Sequence, residues 1–98
     1  MKINKEETET KGRLVAVDED QEIGEVTYSL ANEGQLLIAD HTGVDKEYKG
    51  RGVGMELFDA LVDMARSESR KVMPLCPFIR SAFEKNRDKW DVLRHGSL

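Results

Sequence analysis

A single cysteine, Cys76, stands in the 98 residues of this chain, so no disulfide framework can form within it and a reducing compartment is expected. No apolar run approaches the roughly 20 residues of a membrane helix. Met1–Lys11 is charged rather than apolar, so it is not expected to act as a signal peptide, and the cytoplasm is the expected location. Positive charge is in deficit: 15 Lys and Arg against 19 Asp and Glu give a net charge of −4. Binding to phosphate backbones is driven by Lys and Arg releasing counterions, which argues against nucleic acid or an anionic membrane as a partner. The sequence shows no internal repeat and no low-complexity tract. Its length fits one domain, residues 1–98, with a thin core that buries roughly 60–65% of the unfolded surface.

What is present has two periodicities. Leu14–Val17 is a short apolar run, closed by the polar Asp18–Gln21. Val26, Tyr28 and Leu30 alternate with Thr27 and Ser29, the period of a half-buried strand. Asn32–Gly34 reads as a turn, and Gln35–Ala39 as a third, more apolar strand. After Gly50 the period changes. Gly54, Leu57, Phe58, Leu61, Met64 and Ala65 recur at helical spacing, predicting a helix from about Gly52 to about Ser67. Lys71–Cys76 predicts a fourth strand, Phe78–Phe83 a second helix, and Trp90–Leu93 a short closing segment. The order is β-β-β-α-β-α, an α/β fold in which an antiparallel three-strand meander precedes helix, strand and helix. The strands flanking the first helix are expected to be parallel, joined by a right-handed crossover. Residues 1–11 are expected to be a flexible lead-in and 94–98 a frayed tail.

Chemistry concentrates in Lys49-Gly50-Arg51-Gly52-Val53-Gly54, between the third strand and the first helix. Glycines let the chain turn tightly and bring N–H groups close to a ligand. The helix start adds unpaired N–H donors and the positive end of its dipole. The result suits an anion the size of a pyrophosphate, with Lys49 and Arg51 beside it. The string matches neither G-x-x-x-x-G-K-[ST] nor G-x-G-x-x-G. The competing reading is a glycine loop that merely starts a helix.

The segment Val44–Gly54 resembles the acetyl-coenzyme A signature R/Q-x-x-G-x-G/A of the GCN5-related N-acetyltransferases. With His41-Thr42-x-Val44 before it and Pro74-Leu75-Cys76-Pro77-Phe78 after the next strand, it is similar to that family's short members of about one hundred residues, over about Arg13 to Leu93. The resemblance implies a pared-down acetyltransferase fold and acetyl-coenzyme A as cosubstrate. It also implies transfer to an amine; the acidic charge balance points to a small cationic amine or a basic peptide as acceptor, and the chain is expected to be a monomer with no metal ligands. Carried over by position, Thr42 and Val44 bind the pantetheine arm through their backbone. Lys49, Gly50, Arg51, Gly52, Val53 and Gly54 hold the pyrophosphate, and Asn86 falls where relatives have His or Asn before a proline. The resemblance also places Cys76 near the thioester, where it is a candidate nucleophile, with direct attack by the amine and simple packing of the thiol as the alternatives. His41 lies beside that channel and is a candidate base by its own chemistry, against a structural, hydrogen-bonded histidine.

Three departures stand out. Lys49 replaces Gln or Arg, keeping the charge but losing the planar fork. Arg87 replaces the proline after Asn86. Phe83 stands where many full-length members have a tyrosine acid, and its neighbour Ala82 cannot donate a proton either. A different class therefore stays open: a non-catalytic module that binds coenzyme A or acetyl-coenzyme A as a sensor or carrier. A purely structural domain would leave the ordered motifs unexplained. Tyr48 and Trp90 are expected to pack, Met55, Met64 and Met73 to fill core gaps, and Arg80 and Lys85 to face solvent.

The charge balance yields a first expectation. In a fluorescence-anisotropy titration at physiological salt, DNA and RNA should not bind with a dissociation constant below about 1 μM, and tighter binding would contradict the reading.

Overall fold

The computed structural model describes residues 1–98. One sheet runs in the order β1-β2-β3-β4-β5, from β1 (Lys2–Glu7), β2 (Lys11–Asp18), β3 (Gln21–Ala31), β4 (Leu36–Val44) and β5 (Lys71–Pro74). The first four strands are antiparallel neighbours, and β5 returns parallel to β4 after α1 (Val53–Ser67). Helix α2 (Pro77–Lys85) follows β5, and 3₁₀ turns occupy Lys46–Tyr48 and Arg87–Val92. No helix is long and apolar enough to cross a membrane.

The strand periods decide which face is buried. Leu14 and Ala16 of β2, Val26 and Tyr28 of β3, and Leu37 and Ala39 of β4 point to one side, under both helices. Helix α1 brings Val53, Leu57, Phe58, Leu61, Val62 and Ala65 onto them, each fully burying side chain stabilising by about 1.5–3 kcal/mol for the larger residues. Helix α2 joins the same cluster through Ile79, Ala82 and Phe83, whose ring meets Phe58 edge to face at 4.9 Å. The opposite sheet face, with Arg13, Thr27 and Ser29, carries no helix.

Two expectations about the termini are corrected. Residues 2–7 are not a flexible lead-in but an edge strand, paired with β2 along its whole length. It has almost no apolar pattern, and charge contacts supply what apolar burial does not. Glu7 accepts two bonds from Arg70, at 2.7 and 3.0 Å, and one from the Tyr28 hydroxyl at 2.8 Å. Lys5 pairs with Glu68 at 2.7 Å. Residues 94–98 are not simply frayed either. The Arg94 N–H donates to the Val72 carbonyl at 2.9 Å, and Arg80 donates to the Ser97 carbonyl at 3.1 Å. This segment covers part of the β5 edge, which would otherwise offer unpaired backbone groups.

The Glu7 cluster makes stability depend on acid. Hydrogen bonding to the Arg70 guanidinium holds the Glu7 carboxyl at about 2, against 4.5 for an ordinary glutamate. The stabilisation is therefore complete above about pH 4.5 and is lost as pH falls toward 2; it amounts to at most about 3 kcal/mol. Glu7→Gln should lower stability to urea by about 1–3 kcal/mol at neutral pH and flatten the acid limb between these values. An unchanged midpoint and acid limb would show that the cluster does not hold β1.

Candidate functional site

The site begins where β4 and β5 part. Their pairing runs from Leu36–Lys71 to Ala39–Pro74 and stops. Against β3, Ala39 faces Tyr28 and His41 faces Thr27, so Asp40 is an extra residue. Such a bulge bends its strand and increases local twist. On the other side Pro74 has no N–H to offer, and the N–H groups of Leu75 and Cys76 both turn back to the Ala39 carbonyl, at 3.0 and 2.9 Å. Strand β4 nevertheless continues to Val44, so His41–Val44 has β3 on one side and no strand on the other.

From there the chain enters the glycine loop. The Asp45 N–H bonds to the Ile23 carbonyl at 2.7 Å, and the Asp45 side chain caps the 3₁₀ turn. Gly50 and Gly52 both have positive φ, 81° and 82°, and a Cβ on either would meet nothing within 4 Å. The glycines are required by backbone conformation, and the space beside them is open. Gly52 is the N-cap of α1 and supplies no side-chain cap, which leaves the first helical N–H groups unpartnered by side chains. Lys46, Lys49 and Arg51 enter no ion pair. The strand end and the loop enclose a cleft of about 650 Å³.

Most of the expected binding residues meet there. His41, Thr42, Val44, Lys49, Gly50, Gly52, Val53 and Gly54 line the cleft. Arg51 lies on the same loop but not in the lining; its guanidinium sits 5.1 Å from the centroid of the Tyr48 ring. Cys76 is buried behind the cleft wall, with Sγ 3.2 Å from the Thr42 hydroxyl. His41 lies on the opposite face of β4, across from Thr27, and makes no hydrogen bond to Cys76. The two proposed chemical groups thus flank the strand rather than form a pair. Asn86 is not brought to the cleft. It ends α2, and its amide donates to the Ala82 carbonyl at 2.7 Å. Phe83, at the tyrosine-acid position, is fully buried against Phe58.

Other residues enter the site unannounced. Met55 lines the cleft and is exposed, not core as expected. Tyr48 lines it as well, and its hydroxyl donates to Asp18 at 3.0 Å; that bond raises the phenol above its ordinary range. Phe78 closes one wall. A Cβ on Gly54 would stand 2.7 Å from the tip of the Phe78 ring, so Gly54 has a packing role besides the one its spacing suggested. Only the apolar Pro-Phe ending of the second motif signalled this wall.

Comparison with known proteins places this geometry. The model of the GCN5-related N-acetyl-transferase family matches residues 13–93. A GCN5-like protein from Staphylococcus aureus, known from an NMR solution structure, is 32% identical, with 95% of this chain and 92% of that one covered and a TM-score of 0.64. A ribosomal-protein-alanine N-acetyltransferase from Brucella melitensis biovar Abortus is 25% identical with a TM-score of 0.65; the match covers 78% of this chain and 59% of that enzyme, so this chain spans under two thirds of its length. An aminoglycoside N-acetyltransferase solved with CoA shares the fold at 12% identity and a TM-score of 0.56, covering 84% of this chain and 68% of that one.

The Gly54–Phe78 contact can be tested by a double variant. Gly54→Ala should cost about 1–3 kcal/mol through overpacking, even though alanine favours the helix. Adding Phe78→Ala should relieve that cost, so the two changes should be non-additive in urea unfolding. Simple additivity would mean that Gly54 is not held small by Phe78.

Proposed function

Because the chain belongs to the GCN5-related N-acetyltransferase family, we propose that it binds acetyl-coenzyme A in the cleft between the end of β4 and the start of α1 and transfers the acetyl group to an amine. The observation that carries this reading is the coincidence of three features in one cleft: the open edge of β4 at His41–Val44, the two positive-φ glycines, and the uncapped start of α1. An open strand edge can pair with the amide-rich pantetheine arm as a further strand would, through the backbone of Thr42 and Val44. Free N–H groups at a helix start, with Lys49 and Arg51 close by, suit a diphosphate. That a protein of the same fold was solved with CoA supports the assignment.

The acceptor in this reading is a cationic amine or a basic peptide. On the helix-free face of the sheet, Arg13 gathers the carboxylates of Glu6, Glu22 and Glu25 at 3.0–3.1 Å, leaving that face with excess negative charge. His41 opens onto the same face and is the candidate base for the incoming ammonium. Cys76, beside Thr42 at the start of α2, is the candidate nucleophile. In that route Sγ, having lost its proton, attacks the thioester carbonyl and coenzyme A leaves as the thiol. The amine then displaces Sγ to give the amide, and the amine's proton returns to the cysteine. Direct attack by the amine, with Cys76 shaping the site, uses the same cleft. The second reading, a module that binds without transfer, is favoured by one observation: the tyrosine-acid position is Phe83, locked in the core.

Intact-protein mass spectrometry after incubation with acetyl-coenzyme A, with and without a panel of amines, separates these readings. Turnover that depends on an amine supports transfer, and an adduct of about 42 Da on Cys76 supports the covalent route. Under that route Cys76→Ser and Cys76→Ala should bind coenzyme A normally but lose about 100-fold in transfer, roughly 2.7 kcal/mol. Binding without turnover by any amine would favour the module. Gly52→Val, strained at φ 82°, should weaken coenzyme A binding at least about tenfold, and normal affinity would contradict the placement.

A further inference from the structure

We propose that Tyr48 is a positioning residue for the phosphate end of the cleft: tied to Asp18 and stacked with Arg51, it holds the glycine loop and that guanidinium in place for a diphosphate-bearing ligand. The inference rests on the reading of the cleft as a coenzyme A site. Between Lys46 and Gly52, Tyr48 supplies the one side-chain hydrogen bond to another element, its hydroxyl reaching Asp18 at 3.0 Å. The main-chain bonds of this stretch are local, Tyr48 N–H to the Asp45 carbonyl at 2.8 Å, Arg51 N–H to the Tyr48 carbonyl at 3.3 Å, and Glu56 N–H of the first turn of α1 to the Gly52 carbonyl at 3.0 Å. The 3₁₀ turn buries no residue. Apart from the Tyr48 ring, which packs half-buried against the edge of the core, a stretch with two positive-φ glycines has little else to restrict it. Fixing one residue's backbone costs roughly 1–2 kcal/mol, so a tether formed before binding lowers the ordering cost that the ligand must meet.

The anchor belongs to a tight hairpin. Asp18 ends β2 and faces Gln21 across a two-residue turn, Glu19–Asp20, whose φ values of 49° and 65° are both positive. That geometry matches the twist of a tight hairpin. The Asp18 carboxylate accepts the phenol's hydrogen bond, so an anion next to it is not placed against a bare carboxylate. Arg51 has no carboxylate partner. Stacking on the ring holds its guanidinium while leaving the N–H forks free for phosphate oxygens. The same bond keeps the phenol protonated, which sets Tyr48 apart from a general base.

The test uses calorimetry with coenzyme A and with pantetheine, which has the arm but no diphosphate, on the whole chain. Tyr48→Phe and Asp18→Ala should each weaken coenzyme A about 3–10-fold, and the two together no more than either alone. Tyr48→Ala, which also removes the platform for Arg51, should weaken it further. Asp18→Asn, whose amide oxygen still accepts, should retain most of the affinity. Pantetheine affinity should change less than about twofold throughout, a selectivity that general damage to the fold would not produce. Variants that bind coenzyme A like wild type, or that lose coenzyme A and pantetheine alike, would overturn the inference while leaving the reading of the cleft standing. A wild-type chain that binds no coenzyme A would overturn both.

Discussion

Ala39 is the last residue of β4 that β5 can reach, and the geometry of the cleft follows from that stop. Asp40 adds a residue against β3, Pro74 withholds a donor, and the Ala39 carbonyl takes the next two N–H groups of the β5 side instead. Strand β4 then runs on paired to β3 only, with backbone groups on its free edge that must be met by water or by a ligand, since leaving one buried and unpaired costs about 1–3 kcal/mol. The same turn carries Cys76 to the N-cap of α2 beside Thr42 and starts α2 close enough to α1 for Phe78 to cover Gly54. One interruption of a ladder thus creates an open edge, a buried thiol and an aromatic wall together.

The rest of the molecule serves to hold that interruption still. Helix α1 bridges β4 and β5 and packs over β2 and β3, so the two parted strands are joined through the core rather than through each other. At the far side of the sheet, β1 has little apolar surface and is retained by charge. Its Glu7 reaches Arg70, at the start of the approach to β5, and Tyr28, which lies in the core. Charge is divided as well: carboxylates crowd the bare sheet face around Arg13, while the loop cations Lys46, Lys49 and Arg51 have no acidic partners. A molecule with net negative charge can keep Lys49 in the cleft lining, and Lys46 and Arg51 on the loop beside it, free of ion pairs because of this division.

Periodicity made much of the fold legible. The alternation of Val26, Tyr28 and Leu30 and the helical spacing from Gly54 to Ala65 each reflect a single buried face, and β3 and α1 lie where they indicate. The glycine spacing led to the loop because positive φ selects glycine whatever surrounds it. What stayed hidden is long-range. Strand β1 has no period to read, since its partners Arg70 and Glu68 lie more than sixty residues away. The bulge at Asp40 exists only in the pairing of two strands. Tyr48 and Asp18 are thirty residues apart, and neither one alone announces a contact. Asn86 looked like a ligand residue by position, but its distance from the cleft is fixed by the length of α2.

The central claim is that the open edge of β4 and the start of α1 form one binding surface. A titration of isotope-labelled protein with coenzyme A, followed by amide chemical shifts, tests it most directly. The account predicts shifts concentrated at Thr42–Val44 and Gly50–Met55, extending to Phe78 and leaving β1 and β2 unmoved apart from Asp18. Shifts centred instead on Arg13, Thr27 and Ser29 across the bare sheet face, or no shifts at saturating coenzyme A, would contradict it.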